Sequence, residues 1–187
     1  MNLNLSWDLF ILVFFGVVIA YSFIIGRNLT LKVITATYIA ILCSDGIGNL
    51  FGRYLASSET FLKFMKLFGV GNSDQATAFF KVLVLIIMIV IIAIRGFYEY
   101  RAEEAGSMSI KLATTLVLGL LSAGLMMSAM LIFVSGSSLI NNIFLVNNPL
   151  SQVYTQSRLV RIMLDFANIW FFMPGFAIVG LSFLHKK

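Results

Sequence analysis

Two acidic residues interrupt apolar sequence: Asp45, inside the run from Val33 to Phe51, and Asp165, just ahead of the run from Ile169 to Leu184. A charge at the centre of a bilayer costs ~2.5–3.5 kcal/mol on insertion scales, so a carboxylate placed there needs a reason. Asp45 stands beside Gly46 and Gly48. It reads either as a cation or proton site, or as an interfacial cap or ion-pair partner of Arg53 or Arg27. Asp165 has Arg161 four residues earlier, one helical turn away, which is the spacing of a local ion pair. The remaining inventory offers little chemistry. The single histidine, His185, lies beside Lys186, so neither a Ser–His pair nor an HExxH zinc site can be assembled. Cys43 is the single cysteine and reads as a small packing residue; it excludes an intrachain disulfide and a CxxC site. Gly46-Ile47-Gly48 lacks the strand, helix and lysine of a phosphate loop. An Asp45–Asp165 dyad or a Ser–Lys pair would be needed for hydrolysis, and no motif supports either. No catalytic residue, cofactor or metal is expected.

The composition explains why so little chemistry is present. Of 187 residues, 60% are apolar and 11% charged, with a mean hydropathy of +0.98. A soluble domain carries ~45–50% and ~25%. This balance excludes a water-soluble enzyme, a disordered chain and a nucleic-acid binder. The 13 Lys and Arg give a formal charge of +5, yet no basic run exceeds Lys186-Lys187. Positive charge this dispersed forms no phosphate-tracking groove and is better suited to lipid headgroups.

Five apolar stretches are read as membrane crossings, at residues 9–26, 33–52, 76–98, 112–134 and 162–184, with an amphipathic surface helix at 57–68. The first has no basic residue before Arg27, so it reads as a retained helix rather than a cleaved signal. In the second, Ala36, Ala40, Ser44, Gly48 and Gly52 recur every fourth place. That stripe favours a continuous helix with a close neighbour over a break at Gly46. Ser73 or Asp74 is expected to cap the third helix, and Lys81 and Arg95 are expected to snorkel from its ends. The fourth carries its own small positions, Gly119, Ser122, Ala123, Gly124 and Ser128. Ser135 to Pro149 is a polar loop. In the last segment Arg158, Arg161, Asp165 and Asn168 share one helical face, and Pro174-Gly175 should kink the apolar half. A rival reading keeps this segment on the surface and leaves four crossings. The basic residues divide seven against six between the two sides, and only the lack of Lys or Arg before Arg27 favours N-out, C-in.

This order of elements resembles the colicin V production protein family of small bacterial inner-membrane proteins. The likeness lies in Trp7-Asp8 ahead of the first helix, the Gly26-Arg27 turn, the surface helix, and Gly119, Ala123 and Gly124 in the fourth crossing, followed by an amphipathic region. It covers the layout of residues 7–134. The fourth crossing lacks the family's Asp-Arg-Gly style start, and an apolar tail follows Asp165. The resemblance implies a role in peptide-toxin export or envelope maintenance, and supplies no catalytic residues. The expectation is an all-α, polytopic membrane bundle of four to five transmembrane helices plus one or two amphipathic helices. Its partners would be the bilayer and either further copies of itself or other membrane proteins. An oligomeric small channel or transporter using Asp45 is the alternative.

Overall fold

Uncharged runs of Leu, Ile, Val and Phe can satisfy their backbone polar groups without water only by closing them internally, which a helix does. The computed structural model describes residues 6–54, 58, 63, 72–96, 108–136 and 151–184. Among these residues every regular element is a helix. The elements are α1 (Trp7–Tyr54), α2 (Ser73–Arg95), α3 (Met108–Val134), α4 (Ser151–Gln156), α5 (Arg158–Asp165) and α6 (Ala167–Leu184). Three of them, α1, α2 and α3, are long and apolar enough to cross a membrane; a fourth is added if α5 and α6, bent by 60°, count as one. The described residues are therefore all-helical in their regular elements, with the long apolar helices of a membrane protein. The expected surface helix at 57–68, Ser58 and Lys63 apart, and the expected polar loop at 135–149, Ser135 and Gly136 apart, fall outside the described residues.

The first two expected crossings are one 48-residue helix in outline, α1, broken at Gly26 with φ 77° and ψ 174°. Only glycine adopts that backbone freely, and a Cβ at Gly26 would meet nothing within 4 Å. The requirement is therefore conformational rather than steric. The hydroxyl of Thr30 donates to the Gly26 carbonyl at 2.8 Å and reaches the Ser22 carbonyl at 3.5 Å. Residues eight apart lie about 12 Å apart along a straight helix, so the two arms, 7–25 and 27–54, fold back on each other. The residues expected to link two crossings, 27–32, are instead the first turns of the second arm.

Helix α3 is the central rod: 72% of its most apolar window is buried, against 11% in α1 and 17% in α2. Its inward residues Leu118, Leu125, Ala129 and Phe133 pack with Leu31, Ile34 and Ile41 of the second arm and Leu85 of α2. Met127 and Leu131 pack instead with Ile11 of the first arm and with Val160 and Met163 of α5. Small residues allow these approaches. A Cβ on Gly119 would lie 3.0 Å from Ser22 Cβ, and one on Gly124 would fall inside the Trp170 ring of α6. Ala123 is fully buried. The hydroxyls of Ser122 and Ser128 are buried without a hydrogen-bond partner, so these residues serve by being small.

One local expectation is corrected, and the sharp bend of the last segment is located. Helix α2 begins after Asn72, which sits in extended backbone and makes no side-chain cap; neither Ser73 nor Asp74 is the cap residue. The bend in the last segment falls at Phe166, between α5 and α6. Helix α6 runs on through Pro174. The reason is that α5 docks on α1 and α3 through Val160 and Met163 while α6 turns to follow α3.

Candidate functional site

The second arm of α1 remains helical through Ser44-Asp45-Gly46-Ile47-Gly48. The small-residue stripe faces the core and α2: Ala36, Ala40 and Ser44 are fully buried, and a Cβ on Gly52 would lie 3.2 Å from Thr77. Phe51 and Phe80 stack one turn away with ring centroids 4.0 Å apart. This close approach brings Lys81 against Asp45. Lys81 Nζ donates to Asp45 Oδ1 at 2.8 Å, with the two side chains 4% and 3% exposed. Lys81 does not snorkel, and neither Arg53 nor Arg27 is the group that meets Asp45 in this contact.

The pair is built into its surroundings. Gly48 leaves the space through which the lysine stem passes: a Cβ there would lie 2.9 Å from Lys81 Cε and 3.1 Å from Cδ, and nearer still to Cγ. The hydroxyl of Ser44 donates to the Lys81 backbone carbonyl. The ammonium also sits 5.6 Å from the centroid of the Phe133 ring, on its attractive face. Desolvating two charges costs several kcal/mol each, and a short, hydrogen-bonded contact is what offsets it. Ser44, Asp45 and Gly48 thus join the second arm of α1 to α2 at a fixed register.

Asp165 and Arg161 are arranged differently. Both are exposed on α5, and Tyr154 of α4 stands between them. Tyr154 Oη donates to Asp165 Oδ1 at 2.8 Å, while the Arg161 guanidinium lies 5.4 Å from the Tyr154 ring centroid and reaches the Thr155 carbonyl at 3.4 Å. The expected direct i, i+4 pair is therefore replaced by a bridge through the ring. The hydrogen bond to the carboxylate raises the Tyr154 pKa above the ordinary phenol value. Asp45 and Asp165 share no site: one is buried against α2, the other exposed beside Tyr154. Ser44 spends its hydroxyl on a carbonyl and makes no Ser–Lys pair.

A further tie was not legible as such. Asp8, in the turn ahead of the first uncharged run, accepts from Ser157 Oγ at 2.6 Å and from the Leu159 N–H at 3.0 Å. Ser157 also accepts from the Val160 N–H as the N-cap of α5. The start of α1 therefore helps cap a helix 149 positions later in the chain. These bonds, that from Ser157 foremost, lower the Asp8 pKa.

A cleft of about 400 Å³ opens between the first turns of α1 (Trp7, Phe10), Val82 of α2 and the last turns of α3 (Met127, Met130, Leu131, Val134). Its lining carries no charged side chain to orient a polar ligand or activate a nucleophile. Among the described residues no three His, Cys, Asp or Glu side chains come together as a metal site. No family model, curated protein or solved structure matches the chain.

Proposed function

We propose that this is a non-enzymatic, multi-pass protein of the bacterial inner membrane, akin to the colicin V production family, that assists export or envelope homeostasis as a scaffold or partner subunit. The observation that supports it is the Asp45–Lys81 contact. The carboxylate best placed for ion or proton chemistry is neutralised by a lysine and joins two helices. Five crossings follow from the hairpin: the two arms of α1, α2, α3, and α5–α6 taken together. Asp8 and Ser157 lie at one end of this bundle and Gly26 at the other, so the bent α5–α6 crossing begins on the same face as α1. The small-residue stripes are taken up by internal packing, and the apolar flanks of α2 and α6 (Ile86, Val90, Ile94, Phe172, Phe176) remain exposed, to face lipid and partners. Cross-linking in native membranes, followed by mass measurement of the detergent-solubilised particle, tests the reading. It requires an assembly of several copies or a stable complex with another membrane protein; a strictly monomeric, partnerless particle contradicts it.

The alternative, an oligomeric small channel or transporter, draws on the same buried carboxylate, which would have to leave Lys81 to accept a cation or proton. It requires flux through liposomes carrying the parent protein and loss of that flux in Asp45→Asn at normal expression. No flux in the parent removes it.

A further inference from the structure

The phenol of Tyr38, on the second arm of α1, reaches into α6 at its proline. Its hydroxyl donates to the Phe171 carbonyl at 2.5 Å and accepts from the Gly175 N–H at 3.0 Å. An unbroken helix joins the carbonyl of residue i directly to the N–H of residue i+4, and 171 and 175 are such a pair. Tyr38 therefore stands inside the helical ladder, one position from Pro174, which has no N–H and whose ring crowds the preceding turn. Pro174 is fully buried. A Cβ on Gly175 would lie 3.5 Å from Tyr38 Oη, an ordinary contact that places the hydroxyl against the backbone of α6. The two halves of α6 are held by different means. Trp170 ahead of the proline lies on Gly124 and against Phe15, whereas Ala177, Ile178 and Leu181 beyond it pack only partly buried on the central core. We infer that Tyr38 is a latch: its hydroxyl completes α6 across the Pro174 break and fixes the direction of residues 175–184. Without it that half swings about Pro174 as a hinge. Ladder groups opened within hydrocarbon find no water to bond, so a proline break there depends on a partner of this kind.

The test is a distance distribution by pulsed electron resonance in nanodiscs. Spin labels are placed through Tyr54→Cys and Val179→Cys, both exposed positions, in a Cys43→Ala background. The parent should give one narrow distribution. Tyr38→Phe, which removes only the hydroxyl, should at least double its width or split it in two. Adding Pro174→Ala to Tyr38→Phe should restore a narrow distribution, because a helix with every N–H closes its own ladder and needs no latch. If Tyr38→Phe does not fold, the double variant should fold and give the narrow distribution. An unchanged width in Tyr38→Phe, or a double variant as broad or as unfolded as the single one, overturns the proposal.

Discussion

The Asp45–Lys81 contact is the feature on which the account of this protein turns, and its two members should depend on each other. Removing one partner of a buried ion pair leaves an uncompensated charge and typically costs ~3–5 kcal/mol, while replacing both by apolar residues is often close to neutral. Asp45→Ala and Lys81→Met should each lose stability of about that size, and Asp45→Leu/Lys81→Met should regain most of it. Unfolding curves in detergent micelles check this; additive losses in the double variant would mean that the two side chains are not coupled. Asp45 was legible in the sequence as an ionisable group in apolar surroundings, and the stripe through Ser44 and Gly48 lies where the stem of Lys81 passes. Lys81 was not legible as that neighbour. A lysine a few turns inside a helix can equally extend its stem to the headgroups, and only the packing of Gly48 beneath that stem decides otherwise. The Arg161 and Asp165 spacing misled for a related reason: Tyr154, from a separate six-residue helix, takes up both charges.

Uncharged runs located the helices well, but what happens at their ends was set by tertiary contacts. Gly26 was visible as a turn residue beside Arg27, yet the chain becomes helical again at once instead of forming a loop. Gly26→Ala places a side chain in backbone reserved for glycine and should cost ~1–3 kcal/mol, read as a lower melting temperature with the helix content retained. Gly124→Ala acts through space instead, pushing Trp170 off α3; overpacking of this sort costs ~1–3 kcal/mol and should appear as a change in Trp170 fluorescence in a Trp7→Phe background. At the other end of α1, the lowered Asp8 pKa sets the sign of a pH effect. The tie to Ser157 and Leu159 is complete when Asp8 is ionised, above the ordinary aspartate range, and is lost as pH falls through and below that range. The protection of the Leu159 and Val160 amides, taken relative to their intrinsic exchange rates, should therefore fall on acidification in the parent and be low at every pH in Asp8→Ala. At Pro174, Tyr38 bridges the Phe171 carbonyl and the Gly175 N–H, a contact between residues far apart in sequence that no local pattern announces.

Taken as one body, the molecule is a set of rods around α3, with its polar contacts gathered toward the end where Asp8 meets Ser157. The helical character of the described residues, and helices long and apolar enough to cross a membrane, were evident from composition and run length; the number of crossings was not, because the last segment divides into α5 and α6 at a 60° bend that run length does not reveal. The proposed five crossings make a definite statement about sides. In a Cys43→Ala background, single cysteines at Ser6, Asn72, Ser107, Asn147 and Lys187 can be labelled from each face of sealed vesicles with a membrane-impermeant maleimide. The account predicts that Ser6, Asn72 and Asn147 react from one face and that Ser107 and Lys187 react from the other. Reaction of all five from the same face, or a chain that stays monodisperse in buffer without detergent, would contradict it.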